Sequence, residues 1–177
     1  MSIIGKIFSH ISLFYIKSLN SHNVKKYMAK YNKWLRNNGV KVAPYDGVGF
    51  IDPTAYLDSA DYSKISIARN VTISRDVTLL VHDYSIWTGL IALDKSNEKQ
   101  RCKFMKPISI GENSFIGARS FILPGTTIGE NVIIGAASVV KGNIPSNSVW
   151  IGNPARQIMT TEEFAKRHLT KKDFIEF

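Results

Sequence analysis

A period of six residues governs the middle of this chain. From Ile110 onward every sixth residue is Ile110, Ile116, Ile122, Ile128, Ile134 and Val140, an unbroken register of β-branched aliphatics. Four residues after each of the first five stands a small or β-branched side chain: Ser114, Ser120, Thr126, Val132 and Ser138. Upstream, Ile67, Ile73 and Leu79 keep the same step, with Val71 and Val77 in the second slot; an insertion between the runs shifts the phase by one. Six fits neither the 3.6 period of a helix nor the 2.0 of a strand. It fits a chain that runs straight for a few residues, turns a corner, and repeats. If three straight pieces close one coil, the aliphatics point inward and stack on their counterparts one coil above, each coil covering the next. The pattern therefore predicts an all-β core built as a parallel β-solenoid; the competing reading is a β-sandwich with strong turn signals. Gly117, Gly129 and Gly135 directly follow inward aliphatics, beside corners where positive φ or close backbone approach is required.

The net charge of +9 is unevenly placed. Positions 1–45 hold no Asp or Glu, while Lys6, Lys17, Lys25, Lys26, Lys30, Lys33, Arg36 and Lys41 supply eight positive charges. The rest is nearly neutral, so the basic character belongs to a leader rather than to a nucleic-acid-binding body. Within it Ile4, Ile7, Phe8, Ile11 and Tyr15 are spaced for one face of a helix. That stretch is too short to span a bilayer and lacks the pattern of a signal peptide. A second helix is predicted over 23–37, stopping at Gly39. The leader either packs on the body or lies on an anionic cytoplasmic leaflet. Cys102 is the lone cysteine, which excludes an internal disulfide and points to a reducing, cytoplasmic setting.

The order of parts over 67–158 resembles the hexapeptide-repeat acetyltransferases: paired hexapeptides, His82, an interrupting loop, Lys106-Pro107, repeats through Ala118, Pro124-Gly125 and Gly135-Ala136-Ala137, and a closing Gly152-Asn153-Pro154-Ala155-Arg156. The resemblance implies that the coil is left-handed, against the usual rule for parallel crossovers. It also implies a homotrimer with sites between subunits and an acetyl-CoA co-substrate without a metal. The expected organisation is a basic helical leader (1–45), a β-helix (46–158) with a projecting loop (84–105), and a C-terminal helical cap (159–177). Thr160 and Glu163 form the signature that opens this last helix, expected over 162–169 and across the open end of the solenoid.

Acyl transfer from a thioester needs a base, because the neutral nucleophile loses a proton as it attacks, and imidazole titrates near neutrality. His82 stands where the first repeat run breaks into the loop. Spacing alone leaves it open between structural and catalytic roles; the resemblance makes it the catalytic histidine. Asp58, Asp61 and Asp83 are the candidates to orient it or the acceptor, Asp83 being expected on the opposite face of an extended chain. Tyr84 and Trp87 are candidates to stack on a sugar, or else to anchor the loop. For coenzyme A the resemblance implies Ala118 and Ser120 near the thiol, Ala136 and Ala137 along the pantetheine arm, and Lys141 and Arg156 at the phosphates. Lys141-Gly142-Asn143 departs from the family's Thr-Lys-Asp by shifting the lysine one position. The expected function is O-acetylation of a saccharide in surface-polysaccharide construction. N-acetylation of a nucleotide-linked amino sugar, a zinc hydratase on the same solenoid and a non-catalytic scaffold are the other readings; the hydratase needs three histidines where the repeats hold His82 alone.

Overall fold

The computed structural model describes residues 3–46, 49–97 and 99–175, with the side chains of residues 3–10 outside the description. Helices α1 (Ile3–Ser18) and α2 (Val24–Asn37) precede β1 (Lys41–Val42), β2 (Phe50–Ile51) and β3 (Tyr56–Leu57). A second turn follows as β4 (Ile65–Ile67), β5 (Thr72–Ile73) and β6 (Thr78–Leu79). The excursion comprises β7 (His82–Asp83), α3 (Ser85–Ala92) and β8 (Phe104–Met105). The coil resumes with β9 (Ile108–Ile110), β10 (Phe115–Ile116), β11 (Phe121–Ile122), β12 (Thr127–Ile128), β13 (Ile133–Ile134), β14 (Val139–Val140) and β15 (Asn143–Ile144). It ends in β16 (Ser148–Gly152), β17 (Ala155–Thr160) and α4 (Thr161–Lys171).

Successive strands go to successive sheets, and all three sheets are parallel throughout except for the last pair of face B. Face A runs β1-β4-β9-β12-β15, face B runs β2-β5-β10-β13-β16-β17, and face C runs β3-β6-β11-β14. Ile110, Ile116 and Ile122 thus stand on three consecutive faces of one shaft, each buried. The two repeat runs meet in register: Ile67 opposite Ile110, Ile73 opposite Ile116, Leu79 opposite Ile122. Each such side chain contributes roughly 1.5–3 kcal/mol by leaving water. The second slot is also inward, since Ser114, Ser120, Thr126, Val132 and Ser138 are all buried.

The corners divide their labour in a way the six-step pattern does not specify. Left-handed backbone is carried mainly by other residues, among them Asn70, Asp76, Asn113, Arg119, Asn131 and Ala137, while Gly117, Gly129 and Gly135 are not among the positive-φ positions. Gly117 serves close approach instead: a Cβ there would meet the Ala136 nitrogen at 2.5 Å. At the corner between faces A and B the asparagines form a ladder, Asn70 donating to Asn113 (2.9 Å), Asn113 to Asn131 (3.2 Å) and Asn131 to Asn147 (2.9 Å).

Both ends of the shaft are covered. Helix α2 starts one residue later than expected because Asn23 is its N-cap, accepting from the Lys26 N–H at 2.8 Å. It lays Tyr27, Met28, Tyr31 and Leu35 on the first coil, and the Tyr27 hydroxyl donates to the Ile51 carbonyl at 2.7 Å. At the other end the expected helix is present with its Thr160–Glu163 capping box, starting one residue earlier and running two residues further, yet it buries none of its side chains. On face B the strand edge is closed by β17, which folds back antiparallel on β16, while β15 and β14 are the last strands of faces A and C. A two-sided hydrogen-bond partner suits an exposed edge better than a helix, which supplies no ladder of donors and acceptors.

Candidate active site

The corner from face C to face A brings together His82 and the residues expected around it. Regular coiling stops after Leu79, where burial of Leu79 and Val81 fixes the backbone on either side of Leu80. His82 and Asp83 then pair antiparallel with Met105 and Phe104, closing the neck of the excursion, and the Lys106 N–H donates to the Val81 carbonyl at 2.9 Å. His82 is therefore held by the rigid coil on one side and a two-stranded ladder on the other. The projecting loop contains a helix, α3, which the sequence reading did not include.

Asp58 lies one coil earlier and meets this histidine: His82 Nδ1–H donates to Asp58 Oδ2. The carboxylate side chain is 1% exposed and the imidazole 26%. Asp58 Oδ1 also accepts from the Ala60 N–H at 3.0 Å, and Oδ2 from the Val81 N–H at 3.0 Å. Burial alone would raise the Asp58 carboxyl, but the Ala60 N–H, the His82 contact and the Val81 N–H outweigh it and hold the group below the ordinary carboxylate range. Anchored at three points, this carboxylate fixes the imidazole with its proton on Nδ1, leaving Nε2 as the acceptor. The Tyr84 ring stands edge-on to the imidazole, 5.6 Å between centroids.

The other candidate carboxylates are engaged elsewhere. Asp61 caps a short 3-10 turn, accepting from the Ser63 N–H at 3.1 Å and hydroxyl at 2.6 Å, with Lys64 at 3.7 Å. Asp83 is exposed, as alternation from His82 requires, and accepts from the Ser85 N–H at 2.7 Å. That N–H, and more weakly the charge of Lys141, keep the Asp83 carboxyl low. Trp87 is half-buried inside the excursion, donating from Nε1 to the Asn97 carbonyl at 3.3 Å beneath the Arg101 guanidinium at 5.1 Å, so it holds the loop together. Tyr84 is the exposed aromatic, with Lys103 Nζ 5.5 Å from its ring centroid.

The residues expected around coenzyme A divide between two edges of the prism. Lys141 lies on the His82 edge, lining a cavity of about 70 Å³ with Asp83, Phe104, Lys106, Leu123 and Pro124. Phe104 and Lys106 were not among the expected site residues; they reach this cavity through the antiparallel β7–β8 pairing, which leaves no periodic trace. Ala118, Ala136 and Ala137 line the next edge, between faces B and C, the Ala137 N–H donating to the Ala118 carbonyl at 2.8 Å. Ser120 beside them is wholly buried: its hydroxyl donates to the Gly135 carbonyl at 3.0 Å and accepts from the Ser138 N–H at 3.3 Å, which places the side chain in the shaft and not in a site. Arg156 is exposed on β17, Nη1 donating to the Ala155 carbonyl at 2.9 Å. Among the described residues no three His, Cys, Asp or Glu side chains group as a metal site would need.

Comparison with known proteins agrees with this architecture. Residues 107–141 match the family model described as the hexapeptide repeat of succinyl-transferase. Protein CapG of Staphylococcus aureus is 38% identical over 62% of this chain and 60% of its own length. The galactoside O-acetyltransferase of Escherichia coli strain K12 is 37% identical over 63% of this chain and 51% of its own length. The matched segment thus spans between half and two thirds of these relatives. Among solved structures, a galactoside acetyltransferase in complex with coenzyme A superposes with a TM-score of 0.57 at 26% identity, covering 92% of this chain and 85% of the other. The likeness extends to the left-handed winding of the β-helix.

Proposed function

We propose, from the premise that this chain is a hexapeptide-repeat protein with the left-handed coil of the acetyltransferases, that it transfers an acetyl group from acetyl-CoA to a hydroxyl of a saccharide. The observation that carries the reading is the contact of His82 with the buried Asp58, which leaves Nε2 of a fixed imidazole directed away from its anchor. In the reaction Nε2 takes the acceptor's hydroxyl proton as the oxygen attacks the thioester carbonyl. The tetrahedral oxyanion collapses, the C–S bond breaks, and the departing thiolate takes the proton back from the imidazolium. Asp58 stabilises that imidazolium while it exists. The oxyanion needs donors aimed at it, a role suited to backbone N–H groups near Ala118.

Exposed Tyr84 at the mouth offers a face for a sugar ring, and Asp83 an acceptor for its hydroxyls. Lys141, with Lys106 beside it, and Arg156 supply positive charge for phosphates. Because Ala118, Ala136 and Ala137 occupy a different prism edge from His82, a site using both sets takes one of them from a neighbouring copy. This supports a homotrimer with sites between subunits. The outward rows agree: Lys41, Ser66, Ser109, Thr127 and Asn143 on face A are polar, whereas Tyr56 and Phe121 on face C and Phe115 on face B are exposed aromatics suited to being covered. The proposed setting is cytoplasmic construction of a surface polysaccharide. An amine acceptor on a nucleotide-linked sugar is served by the same base.

Purified protein incubated with acetyl-CoA and a panel of sugars, nucleotide sugars and serine tests this by thiol release. Turnover with at least one saccharide is expected, falling by about 10²–10⁴ in His82→Ala. Undiminished turnover in that variant removes the mechanism. The mass of the protein in solution by light scattering tests the trimer.

A further inference from the structure

Helix α1 is apolar on two opposite sides. Leu13 and Ile16 pack against the core cluster. At about 100° per residue, Ile11, Phe14 and Tyr15 lie roughly opposite, and they are 62%, 80% and 53% exposed. Packing on the chain's own body therefore accounts for one side of α1 and leaves the other.

A basic stripe runs beside that open side. Lys26, Lys30 and Lys33 are exposed at helical spacing on α2, and Lys30 Nζ stands 5.9 Å from the Tyr15 ring centroid. Between the helices a cleft of about 260 Å³ is lined by Tyr15, Lys30, Lys33 and Trp34. Positions 1–45 contain no acidic residue, so nothing within this leader neutralises the stripe.

We infer that the α1–α2 hairpin is a docking surface for an anionic lipid bilayer: Ile11, Phe14 and Tyr15 enter the interfacial region while Lys26, Lys30 and Lys33 meet phosphate headgroups. An apolar ridge flanked by lysines is the arrangement that binds such a surface, combining buried area with attraction to anionic lipid. The helices do not cross the bilayer, since no helix of the described residues is long and apolar enough. A second copy joined through the same surface would set these lysines against their own counterparts. Docking would hold the catalytic coil beside a membrane, where lipid-linked saccharides are built.

The test is flotation of the full chain with vesicles of phosphatidylcholine alone or with about one-third phosphatidylglycerol. Binding is expected to the anionic vesicles, and to weaken sharply between about 0.1 M and about 0.5 M salt. Phe14→Ser should abolish it, and Lys30→Gln should weaken it about fivefold. Both substitutions are at exposed positions away from the proposed site, so thermal midpoint and acetyl transfer to a soluble acceptor should be unchanged. Absence of flotation, or equal flotation with both vesicle types, overturns the inference. So does a Phe14→Ser variant that loses self-association while the parent chain does not float, which assigns the ridge to a second copy.

Discussion

His82 and His168 each donate from Nδ1 to a carboxylate, and the two pairs differ in everything around that contact. Asp58, the partner of His82, is buried to 1% exposure and accepts two backbone N–H groups besides the imidazole. Asp173, the partner of His168 at 2.7 Å, is 42% exposed at the end of a helix with no buried side chain. In water-exposed pairs the mutual attraction is screened and the ordering entropy of two side chains offsets most of it. In the coil, the backbone has already fixed both partners before they meet. The same two functional groups therefore make a rigidly held imidazole in one place and a loose surface contact in the other. Scaffold rigidity, not residue type, separates them.

If rigidity is what counts, removing the shaft beneath His82 should have the largest effect. Leu79→Ala leaves a cavity under the turn and is expected to cost about 2–5 kcal/mol of stability, read from urea unfolding. At temperatures where the variant remains folded, turnover should fall as well, since His82 loses its fixed backbone. Asp58→Asn comes next. The amide presents N–H groups to the Nδ1–H, so one donor must turn away or the imidazole must move its proton to Nε2, the atom proposed to receive one. Turnover should drop by about 10²-fold or more with the coil intact by circular dichroism. Unchanged turnover in Asp58→Asn would reduce this pair to the standing of His168–Asp173.

The shaft was legible in the sequence and the pair was only half legible, for a geometric reason. The six-step register survives because every inward aliphatic faces the same constraint, so Ile67 through Val140 could be assigned by counting. Between Leu57 and Ile67 that count fails: the 3-10 turn at Tyr62–Lys64 absorbs extra residues, and one coil of three six-residue steps counted back from His82 lands at Lys64, on neither Asp58 nor Asp61. What separates them is that Asp58 follows the inward Leu57 directly at a corner, while Asp61 starts the turn. The asparagine ladder escaped for the same cause. Its members are one coil apart, yet their spacings are 43, 18 and 16 residues because loops of different length intervene. Ser120 misled in the other direction, since a residue conforming to the repeat is thereby directed into the shaft.

Acid titration sharpens the contrast by a smaller margin. The Asp58 carboxyl is held below its ordinary value of 3.8 in the folded chain. The stability it contributes is thus complete above that value and is lost as pH falls through the lower, folded one. The parent chain should lose stability more steeply than Asp58→Asn as pH is lowered below about 4, by urea midpoints at successive pH values. Parallel curves would mean that the three contacts to Asp58 are no stronger than water's.

The smallest effect belongs to the C-terminal pair. Asp173 is also held low, chiefly by the His168 contact, but its surroundings are solvent, and the helix it follows is already stabilised at its start by the Thr160–Glu163 capping box. His168→Ala and Asp173→Asn should leave both turnover and the unfolding midpoint at their parental values. The backbone gives a finer handle at the same place. Lys172 ends α4 with φ of 51°, a conformation glycine adopts without its Cβ penalty. Lys172→Gly should therefore raise the protection of the last α4 amides against hydrogen exchange slightly, while the protection of the Val81 and His82 amides stays the same. If the coil amides responded too, the helix would be coupled to the site through β16 and β17, and the independence of the two histidines would have to be given up.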